Sequence, residues 1–465
     1  MRVSCSGHFL PWKRLVAELP AGRIRWFLVF WLFVLGAVSY LDRVNISIAG
    51  SAMVVEYHLT QVQLGSIFSA FLIGYALFQT PGGWLADRLG PRHVLTIGVV
   101  WWGIFTALTA SLPSTIAGAL SYLIVIRLLL GAGEAIIYPA CNKFVSQWVP
   151  SHERGLANGL IFAGVGAGTA SAPIFVTYLM VHYGWRSPFW ASTILGLIAG
   201  LVWYFAARDL PEQHPLVSPA ELSYIQHYRL PGSAANSNAD PQAMVSGTAS
   251  FRNSWGQLVS NKSLLAVTAS YFCFGYVAWI FFSWFYIYLV KVRGLDLKSS
   301  AVYSTLPPLA IVVCSLCGGA ISDAMTKSYG KRIGRCGLAC FALVLAAIIL
   351  VIGSRVASAP LASIVLSGGV GALYIAQSSY WSVTADIGGK SAGLASGFMN
   401  MGGQLGGALT AWLTPVIAQH HGWTSSFLAA AILSTIGGIA WLLVEPNHQL
   451  ATQFCVTARP TDQSR

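Results

Sequence analysis

The sequence predicts an all-α integral membrane protein with twelve transmembrane helices in two six-helix bundles related by pseudo-two-fold symmetry. Three observations carry this. Of the 465 residues, 55% are hydrophobic and only 9% charged, whereas a soluble domain carries about 25% charged residues. The apolar residues fall in runs long enough to cross a bilayer. Short motifs from the first half recur in the second at a nearly fixed spacing. A surface this poor in charge excludes soluble enzymes, nucleic-acid binders and disordered proteins.

A spanning helix needs about 20 mainly apolar residues. Twelve such segments lie near 24–56, 61–86, 93–111, 114–142, 153–181 and 187–207, and near 263–292, 299–325, 333–352, 358–385, 389–419 and 424–445. The first is too long for a cleaved signal peptide and lacks a small-residue cleavage site before a polar domain. The stretch 208–262 contains Pro211, Pro215, Pro219, Pro231 and Pro241 and the run from Gly232 to Asn238, which is linker composition. The organisation read from this is a polar N-terminal segment (1–23), a first bundle (24–207), a central loop (208–262), a second bundle (263–445) and a tail (446–465).

The net charge of +12 could point to nucleic acid, but the cations sit in short clusters between apolar runs, where they act as topology signals. With twelve spans and the N-terminus inside, twenty Lys and Arg fall in inside segments. Five fall outside: Arg186, Lys291, Arg293, Lys298 and Arg355. Positive residues favour the cytoplasm, so both termini are expected there. The eight Cys include Cys314-x-x-Cys317, with no His or carboxylate cluster at metal-ligand spacing. They read as small hydrophobes, and neither a metal nor a cofactor is expected.

The repeat is internal and parallel. Gly155-Leu156-Ala157-Asn158-Gly159 matches Gly393-Leu394-Ala395-Ser396-Gly397, and His182-Tyr183-Gly184-Trp185 matches His420-His421-Gly422-Trp423, both 238 residues on. Gly82-Gly83 and Asp87 match Gly318-Gly319 and Asp323 at nearly the same spacing. Gly-rich membrane helices resemble one another cheaply, but the shared offset argues for a true repeat of six helices, one of the known transporter plans.

Two cations and two acids remain inside spans after the loops are counted: Asp42 and Arg43 in segment 1, Arg127 and Glu134 in segment 4. An ionisable residue at that depth costs about 2.5 kcal/mol or more on insertion scales, which makes each a functional candidate. Arg127 and Glu134 are almost two turns apart and share a face; Asp42 and Arg43 diverge by about 100°. One of that second pair can face a cavity while the other faces a neighbouring helix. The alternative is a static ion pair that locks segments 1 and 4 together.

The run from Gly82 to Arg92 resembles the loop between helices 2 and 3 of the major facilitator superfamily, with a partial copy around Gly318, Asp323, Gly330, Lys331 and Arg332. The resemblance covers about 24–445. It implies that Gly83, Asp87, Arg88, Gly90, Arg92 and Asp323 latch the cytoplasmic side. Tyr40-Leu41-Asp42-Arg43-Val44-Asn45, Arg127 with Gly131-Ala132-Gly133-Glu134, and Tyr138-Pro139-Ala140-Cys141-Asn142-Lys143 resemble the anion:cation symporter branch. So do Phe281, Phe282, Trp284, Phe285 and Tyr288 in segment 7, and Trp381-Ser382 and Asn400 in segments 10 and 11. Bacterial members of that branch carry sugar acids with protons.

Carried over by position, the resemblance implies that Asp42 and Glu134 couple protons and that Arg43 and Arg127 hold a substrate carboxylate. Tyr40, Asn45, Tyr75, Gln79, Tyr288, Ser382 and Asn400 would bind the substrate, and Trp284 and Trp381 would wall the cavity. Bridging between helices or interfacial packing is the alternative for these polar and aromatic residues. Sugar-acid carriers of the branch often have a glutamine on helix 5 where this chain has Val165, so an aromatic or short dicarboxylic acid stays open. The expectation is a proton-coupled symporter importing a small organic anion by alternating access, a monomer in a bacterial inner membrane. The partners expected are the anion, protons and lipid, without nucleic acid. An exchanger or proton-driven efflux carrier of the same fold is the alternative, and a membrane anion sensor the alternative of another class. No nucleophile–base set or nucleotide loop suggests an enzyme.

Overall fold

A computed structural model describes residues 23–228, 251–447 and 450. The N-terminal stretch before residue 23, the Gly232–Asn238 run and the tail beyond 450 lie outside the described residues. In lipid every backbone N–H and C=O must be satisfied within the chain, which leaves helices as the spanning form for such apolar runs.

The first bundle consists of α1 (Ile24–Glu56), α2 (Gln61–Leu89), α3 (Pro91–Ser111), α4 (Ala119–Ala135) continued by α5 (Ile137–Trp148), α6 (Arg154–Tyr183) and α7 (Ser187–Ala206). Part of the central loop is helical, as α8 (Pro219–His227) and α9 (Phe251–Ser260). The second bundle consists of α10 (Lys262–Ser283) continued by α11 (Phe285–Lys291), α12 (Leu297–Ser304) leading into α13 (Leu306–Lys331), α14 (Leu338–Arg355), α15 (Ala359–Ile375) continued by α16 (Gln377–Gly388), α17 (Ala392–His421) and α18 (Trp423–Ala440).

Among the described residues ten helical runs are long and apolar enough to cross a membrane, and two of them, Val302–Arg355 and Ala359–His421, have 54 and 63 residues. At 1.5 Å per residue these would span roughly 80 and 95 Å, against a hydrocarbon core of about 30 Å. Each is two passes. The chain turns at Gly330 (φ 80°) and Gly389 (φ 51°), backbone conformations that glycine adopts without a steric penalty. The result is a twelve-pass membrane protein.

The two halves repeat each other in detail. Asp87 accepts hydrogen bonds from the backbone N–H of Gly393 (3.0 Å) and Leu394 (2.8 Å) at the start of α17. Asp323 does the same with Gly155 (2.8 Å) and Leu156 (2.6 Å) at the start of α6. Each carboxylate thus caps the helix of the other bundle, where unpaired N–H groups and the helix dipole favour an anion. Gly83 against Gly393 and Gly155 against Gly319 bring backbones into contact: a Cβ on Gly83 would lie 2.1 Å from the Gly393 oxygen, and one on Gly319 2.4 Å from the Gly155 oxygen. A Gly83→Val substitution is therefore expected to force this end of the molecule apart. The measurement is reactivity of a cysteine placed at the seam, which should rise relative to the parent chain.

We call this the latch end. Hydrogen bonds between the bundles cluster there and just above it, including Asn142 to Thr384 (3.3 Å) and Asn158 to Ser382 (3.3 Å). The loop helix α8 is docked to it. Buried Glu221 accepts from the Arg25 backbone N–H and from its Nη1, both at 3.2 Å, and Tyr224 donates to Glu153 at 2.7 Å.

Candidate functional site

The first bundle has a helix break at Ile136, between α4 and α5, and the second has one at Ala376, between α15 and α16. Glycines allow close packing. Gly131 packs on the Phe71 and Tyr75 backbone, and Gly74 on Leu128, so α2 and α4 run close together. Phe71 and Tyr75 are thereby carried to the level of Arg127 and Glu134.

The centre of the first bundle holds the four ionisable residues. Arg43 donates from Nη2 (2.5 Å) and Nε (3.2 Å) to Oε2 of Glu134, which also accepts from the Ser39 hydroxyl at 3.3 Å. The Arg43 guanidinium lies over Tyr40 (4.5 Å), Tyr75 (4.4 Å) and Phe71 (5.1 Å), and the Arg127 guanidinium over the same Phe71 at 4.9 Å. Such cation–π contacts contribute about 0.5–2 kcal/mol each. Arg127 and Glu134 are almost fully buried, yet Arg43 Nη1, Arg127 Nε and Glu134 Oε1 have no hydrogen-bond partner among the described residues. Unpartnered groups at this depth are costly, and a ligand that supplied oxygens would satisfy the two cations.

Asp42 points the other way. It accepts from Thr106 Oγ1 (2.7 Å) on α3 and Asn45 Nδ2 (3.1 Å), and Asn45 also donates to Ser192 on α7 at 2.7 Å. Asn45 therefore orients Asp42 and ties α1 to α7. The roughly 100° divergence of Asp42 and Arg43 gives this arrangement: Arg43 meets α4 while Asp42 meets α3. Asp42 still lies within electrostatic reach of Arg127 and Glu134.

The second bundle faces this cluster with aromatic rings. Trp381 packs against Tyr138 (6.0 Å), Phe162 (5.0 Å) and Tyr271 (6.4 Å), and Tyr138 in turn meets Tyr40 at 6.3 Å. Gln377 donates to Tyr271 at 3.0 Å, and its own oxygen has no partner among the described residues. Beneath the cluster Asn400 donates to Gln79 across the seam at 2.9 Å.

The structure thus brings together Tyr40, Arg43, Tyr75, Arg127, Glu134 and Trp381, with Gln79 and Asn400 bridging the bundles below them. Trp284 and Tyr288 are elsewhere: they pack on Trp423 (6.4 and 5.4 Å), and the Tyr288 hydroxyl accepts from Arg293 at 2.6 Å. Ser382 lies toward the latch end, where its hydroxyl meets Asn158 and its carbonyl accepts from Arg335. Of the loop residues, Gly83 and Asp87 sit at the seam and Asp323 at its symmetric counterpart. Gly90 makes the turn into α3 (φ 82°) beside Asp209. Arg92 binds within its own bundle, donating to Tyr204 O (2.9 Å) and, from its backbone, to Asp209 (2.8 Å). Arg88 lies over Trp84 at 4.1 Å. An open pocket on α2 and α4, lined by Ser66, Ser69, Ile73, Ile124 and Leu128, contains none of the four ionisable residues.

One expectation is corrected. Buried charge is not confined to the first bundle, because Asp386 in α16 is buried at the latch end. It accepts from Arg154 (2.6 Å), Arg335 and Lys331 (3.2 Å). The sequence ends segment 10 one residue before Asp386, at a charge that reads as a loop. The helix continues to Gly388 because three cations neutralise it. Lys143, counted with the loops, is a buried member of α5 that pairs with Asp87 at 3.1 Å. Sequence reasoning also passed over Phe71, Tyr271 and Gln377 as site members; apolar and singly polar residues in long spans give no signal of which face they share.

Comparison with known proteins gives a consistent set of relatives. Residues 32–409 match the family described as Major Facilitator Superfamily. A probable sulfoacetate transporter of Cupriavidus necator is 32% identical over 411 residues, covering 88% of this chain and 91% of that one. A probable galactarate/D-glucarate transporter of Bacillus subtilis is 29% identical, covering 93% and 94%. Among solved structures, a proton:xylose symporter superposes with a TM-score of 0.68 over 91% of this chain and 97% of that chain, at 14% identity, which is a likeness of fold.

Proposed function

This chain belongs to the Major Facilitator Superfamily, and from that premise we propose that it is a proton-coupled symporter that carries a small organic anion by alternating access. The observation that carries the reading is the pair of Arg43 with buried Glu134 beside Arg127, with cationic N–H groups left unpartnered among the described residues. In the conformation described, Glu134 occupies Arg43. Protonation of Glu134 releases that guanidinium, and an incoming carboxylate takes its place. Proton and anion then bind as a pair, because each removes the partner that the other would compete with. Asp42 is the second proton carrier, acting through its charge on Arg127. Both bacterial relatives are probable transporters of organic acids, which supports an anion as substrate.

The latch end is the cytoplasmic one in this reading, so the conformation is closed to the cytoplasm. Asp87 and Asp323 hold it closed by capping α17 and α6, and the bundles rock about the Gln79–Asn400 level. The protein works as a monomer in a bacterial inner membrane, with both termini in the cytoplasm.

Reconstitution into liposomes tests the coupling. Glu134→Gln is expected to abolish accumulation driven by an imposed pH gradient while sparing counterflow of the same anion. Accumulation that persists in the variant would contradict the proton role of Glu134.

A further inference from the structure

The charges of the central cluster cancel, with Arg43 and Arg127 balanced by Asp42 and Glu134. Net charge buried at bilayer depth is costly, so the occupant and its protons must together leave the cluster close to neutral. With both acids protonated, the two guanidiniums present two positive charges. An anion with one charge leaves one of them unbalanced; an anion with two balances both. Both guanidiniums lie over the one Phe71 ring, at 5.1 and 4.9 Å from its centre, so no more than about 10 Å separates them.

The hydrogen-bonding chemistry narrows the body of that anion. Arginine donates and never accepts. The unpartnered Arg43 Nη1 and Arg127 Nε ask for oxygens without hydrogens, and a protonated Glu134 adds a further donor. The unpartnered Gln377 oxygen and Tyr138 hydroxyl can accept from two hydroxyls; each further hydroxyl buried here without an acceptor costs about 1–3 kcal/mol, and a sugar acid carries several. The surroundings include Phe71, Phe162 and Trp381. Val165, one turn from Phe162 and in the same buried apolar cluster, offers no acceptor.

We infer that the cleft takes a short, hydroxyl-poor dianion, with one oxyanion head on Arg43 and the other on Arg127, together with two protons. A spacer of roughly one to three carbons lets both heads make N–H···O contacts of about 2.8 Å. This rests on the anion-symporter reading and specifies its substrate class. Carboxylate and sulfonate heads share the required chemistry.

The test is thermal stabilisation of the purified full-length protein at acidic pH, since a ligand bound to the folded state raises its melting temperature. The probes are malonate, succinate and sulfoacetate as short dianions, benzoate as a monoanion and glucarate as a polyhydroxy dianion. At equal concentration at least one short dianion is expected to give three times the shift of benzoate or glucarate; the dicarboxylate and sulfoacetate arms identify the preferred head. Arg127→Gln should abolish the dianion shift while the variant still elutes as a single species and melts cooperatively, which shows that it is folded. Benzoate or glucarate stabilising the parent protein as well as the short dianions would overturn the substrate class and leave the anion reading intact. No shift from any of the five would overturn both.

Discussion

Replacing Asp386 by asparagine is expected to open the latch end. Asp386 is fully enclosed and is the shared counter-charge of Arg154, Arg335 and Lys331, two of which are themselves fully buried. Asparagine keeps the shape and removes the charge that the three cations share. Removing one partner of a buried pair typically costs about 3–5 kcal/mol. A difference of about 3 kcal/mol corresponds to a shift of more than 100-fold in a two-state equilibrium. The closed form bears that cost, because Arg154 belongs to the first bundle while Asp386, Arg335 and Lys331 belong to the second; separation lets water reach them. Spin labels on exposed Leu89 and Tyr329, in a chain without its native cysteines, should report a longer distance in the variant. Asp386→Glu should retain part of the short-distance population. An unchanged distance distribution in Asp386→Asn would remove Asp386 from the latch.

Arg43→Lys is expected to reduce anion uptake about 100-fold with little change in melting temperature. Lysine keeps the positive charge, so Glu134 is not left alone in the bundle. What is lost is the planar fork that reaches Glu134 through two nitrogens and stacks over Tyr40 and Tyr75. An ammonium is a more strongly hydrated point charge and does not reproduce that geometry. Charge-assisted hydrogen bonds contribute about 1.5–3 kcal/mol, and loss of the forked contact to the incoming carboxylate amounts to roughly 3 kcal/mol, or about 100-fold in apparent affinity. The checks are initial uptake rates over a concentration series and a thermal melt. Uptake within threefold of the parent chain would show that positive charge alone suffices at residue 43.

The fold was largely legible in the sequence because lipid enforces it. Apolar runs of bilayer length must be helical, and the recurrence of Gly155–Gly159 at Gly393–Gly397 marks equivalent helices. Those same glycines prove to be places where the two bundles touch, Gly155 at Gly319 and Gly393 at Gly83. The central charges were legible for a related reason: Asp42, Arg43, Arg127 and Glu134 stand out only because their surroundings exclude charge. Two kinds of information were not available. Asp386 sits where apolar span meets polar loop, and hydropathy does not distinguish a buried ion cluster from a solvated end. The placement of Trp284 and Tyr288 against Trp423 depends on the break at Ser283–Trp284 and on which way α11 leans. Their spacing along the chain does not encode this. Asp42 is intermediate. Its depth could be read from the sequence, but its hydrogen bonds to Thr106 and Asn45 depend on packing between α1 and α3.

The coupling of anion to proton is tested most directly by watching the proton. Purified protein is reconstituted into liposomes that enclose a pH-sensitive dye, without any imposed pH gradient, and an inward gradient of succinate or sulfoacetate is applied with the membrane potential clamped. The account predicts that the interior acidifies as the anion enters, and that Glu134→Gln abolishes the acidification. Anion entry by the parent chain at an unchanged interior pH would contradict it.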